Sequence, residues 1–107
     1  MDLDEYQSVS QATTVYPQES KIVYPALGLA GEAGEVANKA KKILRGDYEL
    51  TEEVRVAIAD ELGDALWYLA AVAGDIGYSL NEIAQRNINK LSDRRRRGVI
   101  RGTGDTR

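Results

Sequence analysis

Val54, Ile58, Leu62, Ala65, Leu69, Val72 and Ile76 recur at spacings of four and three. At about 100° per residue they line one stripe of a single long helix. No convincing period-two alternation occurs anywhere to predict a strand. A chain of 107 residues that commits so much of itself to one helix has to pack further helices against that stripe. Local punctuation predicts three of them. The first is expected from about Leu3 to Tyr16, with Asp2 as N-cap, Glu5 three residues on, and Pro17 as the stop. The second begins near Pro25 and ends at Arg45, where Gly46 can take the left-handed C′ conformation. Thr51 caps the long third helix, which runs to about Gly74-Asp75, and Glu52 and Glu53 suit its positive end. Ser79 and Glu82 form an S-x-x-E capping box for the fourth, which reaches about Arg96. The expected architecture is all-α: one compact four-helix bundle-like domain over residues 1–107, with 98–107 (GVIRGTGDTR) as a basic, glycine-containing tail.

The chain has neither cysteine nor histidine. Disulfides, zinc fingers, Cys-His or Ser-His nucleophile systems and histidine proton shuttles are thereby excluded. Any metal must be held by oxygen, which favours Mg²⁺, Mn²⁺ or Ca²⁺. No apolar run approaches the length of about 20 residues that a membrane span needs, and the acidic start does not resemble a secretory signal, so a cytoplasmic protein is expected. Residues 86–107 carry eight Lys/Arg against two Asp, net +6, leaving −9 for residues 1–85. At this length the surface-to-volume ratio favours oligomerisation.

Polar residues break the helical pattern in three places. On the second helix, GLAGEAGEVANKAKK places Glu32 and Glu35 beside an apolar stripe through Leu29, Val36, Ala40, Ile43 and Leu44, with Lys39 and Lys42 on the same flank. Glutamates three apart lie about 60° from each other and roughly 4.5 Å along the axis, close enough to share a cation and repelling without one. Gly28, Gly31 and Gly34 each cost about 1 kcal/mol against alanine in a helix interior. They are expected to let a backbone or a substrate come close. On the third helix Glu61 falls at the edge of the stripe, with Asp64 about 60° further round. On the fourth, Asn87 sits within a stripe of Leu80, Ile83, Ala84, Ile88 and Leu91, flanked by Lys90 and Arg94. Two neighbouring helices with an acidic i,i+3 pair each would converge four carboxylates, a set suited to one or two Mg²⁺ ions. Trp67 and Tyr68 read first as core or interface residues, and Arg94 to Arg97 as a solvated basic face or a weak nucleic-acid patch.

GLAGEAGEVANKAKK followed by DELGDALWYLAAVA, with the ending NKLSDRRRRGVIRGTGDTR, resembles the MazG-like nucleoside triphosphate pyrophosphohydrolases. These all-α enzymes are marked by E-x-x-E, a spacer and E-x-x-D. Here the motif is Glu32-x-x-Glu35 and Glu61-x-x-Asp64 with 25 residues between the halves, and the likeness covers roughly 24–107. The resemblance implies cleavage of a (deoxy)nucleoside triphosphate between the α- and β-phosphates, giving monophosphate and pyrophosphate, in nucleotide-pool regulation or housecleaning. It implies Mg²⁺, with Mn²⁺ as substitute, held by Glu32, Glu35, Glu61 and Asp64, with one of the glutamates also orienting or deprotonating the attacking water. Lys39, Lys42, Lys90 and Arg94 would neutralise the triphosphate, Asn87 would hydrogen-bond the substrate, and Tyr68 would pack on the sugar. A homodimer or homotetramer is expected, with no membrane partner and nucleic acid not the expected ligand. The competing readings are a non-catalytic helical module that binds nucleic acid through residues 94–107, and a related hydrolase acting on dUTP or phosphoribosyl-ATP. The tail either closes over the phosphates or is irregular.

Overall fold

The computed structural model describes residues 1–107. It contains α1 (Leu3–Gln11), a short 3₁₀ turn (Gln18–Ser20), α2 (Val23–Arg45), α3 (Glu52–Asp75) and α4 (Leu80–Arg97), and no strand. The caps expected at Asp2, Thr51, Ser79 with Glu82, and Gly46 are present, and Gly98 adds one that was not expected. Asp2 accepts from Glu5 N at 2.8 Å and Thr51 from Val54 N at 3.3 Å. Ser79 and Glu82 satisfy each other's backbone N–H groups. Gly46 and Gly98 close α2 and α4 at φ 85 and 73, in the left-handed region.

The first helix is shorter than expected, ending at Gln11 rather than Tyr16. Ala12 is followed by Thr13, Thr14 and Val15, a β-branched run that disfavours helix. Thr13 Oγ1 moreover donates to the Ser10 carbonyl at 2.7 Å, which takes up an acceptor of the last turn. Pro17 therefore starts the 3₁₀ turn instead of stopping a helix. At the other end of this connection α2 begins at Val23, so Pro25 stands in its first turn, where a missing N–H costs nothing.

Packing is dominated by α2 against α3, two long antiparallel helices joined through residues 46–51. Helix α1 lies across the C-terminal half of α3, and α4 packs on α1 and the end of α3. Gln7 ties this corner together: its amide donates to the carbonyls of Ala70 and Tyr78 and accepts from Leu80 N. Around it lie buried Ala70, Ala73 and Leu80, with Tyr6 and Ile83 against them.

The four helices do not close around one shared core. The radius of gyration is 16.6 Å, against about 13 Å for a compact chain of this length. The accessible surface is 7711 Å², against about 5,900 Å² for a folded monomer of this mass. Residues expected inside are outside for the same reason: Leu62 is 54% exposed, Leu69 38% and Leu44 89%. Their face of the α2–α3 hairpin is not covered by any other helix of the chain. No helix is long and apolar enough to cross a membrane.

Candidate active site

The α2–α3 seam is built from Val36 and Ile43 on one helix and Val54, Ala65 and Val72 on the other, all half-buried. Glu32 and Glu61 are set among them, also half-buried, with exposed Asp64 one turn beyond Glu61. One carboxylate oxygen from each of Glu32, Glu61 and Asp64 lies within 4.8 Å of the other two. Glu32 Oε2 is buried and has no hydrogen-bond partner. The Glu32 carboxyl is pushed above its ordinary value, first by a hydrogen bond shared with Glu61, then by burial and by the charges of Asp64, Glu61 and Glu35. A proton shared between Glu32 and Glu61 and a divalent cation are alternative answers to the same crowding. The orphaned oxygen and the all-oxygen donor set fit a hard cation.

Lys39, one turn past Glu35 on α2, brings Nζ to 3.7 Å from Glu61 Oε1. Of the residues expected at the site, the structure gathers Glu32, Glu61, Asp64, Lys39 and Tyr68. Glu35 is exposed and outside the converging set, near enough for its charge to act on Glu32. Lys42 is exposed.

The fourth-helix residues are elsewhere. Asn87 is exposed rather than set in an interior stripe, and with Lys90 it lines a separate cleft of about 650 Å³ together with Ile76, Tyr78, Ile83, Arg86, Asn89 and Asp105. Lys90 Nζ lies 2.7 Å and Arg94 3.0 Å from Asp105 Oδ1, and Arg94 is only 5% exposed. These bonds, Lys90's first, hold the Asp105 carboxyl below its ordinary range. The tail is thus folded back on its own helix. Arg107 donates to the carbonyls of Val99, Ile100 and Gly104, and Arg97 to that of Arg107.

Beside the acids lies a pocket of about 380 Å³ lined by Glu32, Asp64, Val15, Tyr16, Tyr24, Trp67 and Tyr68. Tyr16 and Tyr24 stack at 5.0 Å between ring centroids and 27° between planes. Trp67 and Tyr68 meet edge to face at 5.2 Å and 85°. Trp67 is anchored through Nε1, which donates to Ser10 O and Thr13 Oγ1, both at 3.0 Å. Gly28 is what admits Tyr68: a Cβ there would fall closer than 3.0 Å to three atoms of the ring. The expectation of close approach is met at Gly28 alone, because Gly31 and Gly34 have nothing within 4 Å.

Val15, Tyr16 and Tyr24 did not stand out as site residues in the sequence. Their signal was the tripeptide V-Y-P, which occurs twice, at 15–17 and 23–25. Each proline holds the residue before it away from the helical region at a segment boundary or follows a strained entry into a helix. Ile22, just before the second tripeptide, has φ 67 and ψ −58, and Val23 N donates to Lys21 O at 2.7 Å. This is a γ-turn of the rare positive-φ kind, which for a β-branched residue costs of order 1–3 kcal/mol.

Comparison with known proteins is consistent with this geometry. Residues 24–99 match the profile of the MazG nucleotide pyrophosphohydrolase domain. Over 114 aligned positions the chain is 45% identical to the gene 37 protein of Mycobacterium phage L5, and the alignment spans all of both proteins. No solved structure matches. Val15, Tyr16 and Ile22 lie before the stretch matched by the domain profile.

Proposed function

The chain belongs to the MazG nucleotide pyrophosphohydrolase family, and from that premise we propose that it hydrolyses (deoxy)nucleoside triphosphates to monophosphate and pyrophosphate in a Mg²⁺-dependent reaction. The observation that carries the reading is the convergence of Glu32, Glu61 and Asp64, one buried oxygen unpartnered, against a pocket walled by aromatic rings. Glu32, Glu61 and Asp64, with Glu35 at the rim, would hold Mg²⁺ or Mn²⁺, which when bound would offset triphosphate charge and polarise the scissile linkage. Lys39, now against Glu61, is within reach of a phosphate oxygen entering beside the acids. Tyr68, seated on Gly28, offers its ring to the sugar. The remaining aromatics face the base and keep water from that side of the pocket. Tyr16 Oη and Trp67 Nε1 are both spent on the protein, so the base is held by its faces more than by its edges. Stacking of that kind discriminates little between bases.

Self-association belongs to the same proposal. The protomer exposes roughly 1,800 Å² more surface than a folded monomer of its mass. Doubling that area gives an interface in the range of obligate dimers, about 2,000–5,000 Å². Ile58, Leu62 and Leu69 fall within about 40° on α3, and a second copy laid on them would complete a bundle, as a dimer or within a tetramer. The α4 cations Lys90 and Arg94, with Asn87 and the exposed Lys42, would meet the phosphates only if such an assembly brings them to the acids. The competing nucleic-acid reading is weakened because Lys90, Arg94, Arg96 and Arg97 of α4 are already paired with Asp105 of the tail or Asp93 of the same helix.

The test is product analysis with a panel of canonical and modified NTPs and dNTPs, with Mg²⁺ and with EDTA, separating pyrophosphate from orthophosphate. Metal-dependent monophosphate plus pyrophosphate is expected. Absence of turnover across the panel, phosphoribosyl-ATP and dUTP included, would remove the hydrolase reading.

A further inference from the structure

Residues 16–22 are held by a carboxylate that the proposed chemistry does not use. Asp75, the last residue of α3, accepts from Tyr16 Oη at 3.0 Å and from Ile22 N at 2.8 Å, both on Oδ2. It lies eleven residues along the chain from Asp64 and outside the acidic cluster. The two groups that it grips sit on either side of the 3₁₀ turn, and one is the residue at positive φ. Such a backbone conformation persists only where the surroundings over-determine it. The Tyr16 phenol is pushed up to about 12 by burial, then by its bond to Asp75 and by that group's charge, as expected of a donor committed to a carboxylate. Tyr16 in turn stacks on Tyr24, across from which lie Trp67 and Tyr68.

We propose that Asp75 is the positioning residue of the aromatic pocket: it pins residues 16–22 in their strained turn so that the Tyr16–Tyr24 pair stands as the wall against which a planar heteroaromatic ring, a nucleobase, is stacked. The assignment of the ring as a nucleobase rests on the nucleotide reading above. Asp75 touches no substrate. Its effect reaches the ligand through Tyr16 and the backbone at Ile22, so it governs how well the ring is held and leaves the acids alone. Because the wall works through ring faces, purine and pyrimidine should feel the loss of the pin alike.

The experiment compares wild type with Asp75→Asn, Ile22→Gly and the double variant. Asparagine keeps the volume but replaces the carboxylate that accepts both bonds with a neutral amide oxygen, roughly halving their strength, and glycine takes positive φ without strain. Trp67 is the only tryptophan and lines the pocket, so its fluorescence reports occupancy when adenosine or cytidine monophosphate is titrated without turnover. Asp75→Asn should weaken both monophosphates and raise KM for the triphosphates about tenfold, within what base stacking contributes, with kcat little changed. Adding Ile22→Gly to Asp75→Asn should recover part of that loss. Unchanged titrations and KM in Asp75→Asn would overturn the proposal, as would a loss that only follows a lowered Tm and is not recovered by Ile22→Gly. If the wild type hydrolyses nothing yet its Trp67 emission responds to the monophosphates, the reaction is wrong and the pin still stands or falls on the titrations. If no monophosphate alters that emission in the wild type, the pocket itself is wrong.

Discussion

Gly28→Ala and Gly31→Ala are the same chemical change three residues apart on α2, and the structure assigns them opposite consequences. Both replace a helix-interior glycine and so gain about 1 kcal/mol of intrinsic helix propensity. Gly31 has open space around it, whereas a Cβ at Gly28 would enter the Tyr68 ring closer than 3.0 Å. The propensity gain cancels in the comparison, leaving the overpacking cost, about 1–3 kcal/mol. At roughly 4 °C per kcal/mol for a chain of this size, Gly31→Ala should melt some 4–12 °C above Gly28→Ala. Gly31 also points about 140° round the helix from Leu44, away from the face offered for self-association. The assay is thermal and urea denaturation of both variants and wild type at one protein concentration, followed by KM for a triphosphate. Gly28→Ala should raise KM, because any ring movement that relieves the clash displaces Tyr68 beside Asp64. Equal melting temperatures for the two variants, or a Gly31→Ala protein less stable than wild type, would refute the packing described.

Glu61→Gln should abolish Mg²⁺-dependent turnover while leaving helical circular dichroism intact and the metal-free protein no less stable, since it removes repulsion and keeps volume; full activity would remove Glu61 from the site. Glu32 has its folded-state pKa raised above the ordinary 4.5, so the stability it contributes is full below that pH and is lost as pH rises through the folded value. In EDTA, denaturation midpoints should therefore show a downward component above pH 4.5 that Glu32→Gln removes, and an identical pH profile in the variant would contradict it. Asp93 and Asp105 have lowered values; their contribution is present above the ordinary 3.8 and lost as pH falls through the folded values, so Asp105→Asn should blunt the acid-side loss of stability and make residues 98–107 easier to cleave with protease. Leu62→Glu should shift the light-scattering mass toward that of the 11.8 kDa chain. An unchanged multiple would place the self-association face elsewhere.

Much of this molecule is readable from local signals. Asp2, Thr51, Ser79 with Glu82, and Gly46 each act within four residues, and the structure uses every one of them as expected; Gly98, which closes α4 in the same way as Gly46, carries the same local signal. The i,i+3 acids on two helices and the seam they share are also local arithmetic, and three of the four do converge. What escapes is whatever depends on which elements meet. The period puts Leu62 and Leu69 in the apolar stripe of α3 and Leu44 in that of α2, but it does not say that all three stay exposed in the folded chain. Asn87, Lys90 and Arg94 are spaced to point at something. Whether that is a phosphate or Asp105, which lies 15 residues beyond Lys90 and 11 beyond Arg94, depends on a tail whose path no periodicity encodes. The end of α1 was written in Thr13, Thr14 and Val15, yet Pro17 is the louder signal and points to a later stop.

Glu32 and Glu61 occupy the middle of the most extensive helix–helix seam in the chain, where apolar residues would give the greater stability. On an exposed helix face the same carboxylates would be screened within about 8 Å at physiological salt. Half-buried, one turn from Val36 on α2 and from Ala65 on α3, they act through a medium of lower polarity, so their charges reach a bound cation or a phosphate with greater force. The crowding is visible in the elevated Glu32 carboxyl and its unpartnered oxygen. The aromatic rings of the neighbouring pocket lie on one side of the acids, and Lys39 offsets part of the charge. Removing an acid should then stabilise the metal-free fold, whereas removing Tyr68 or unpinning Tyr16 should admit water and weaken the site without relieving the seam. The acids and the aromatic wall are therefore separable by mutation, because one set is held by the α2–α3 seam and the other by Asp75 and the turn at Ile22.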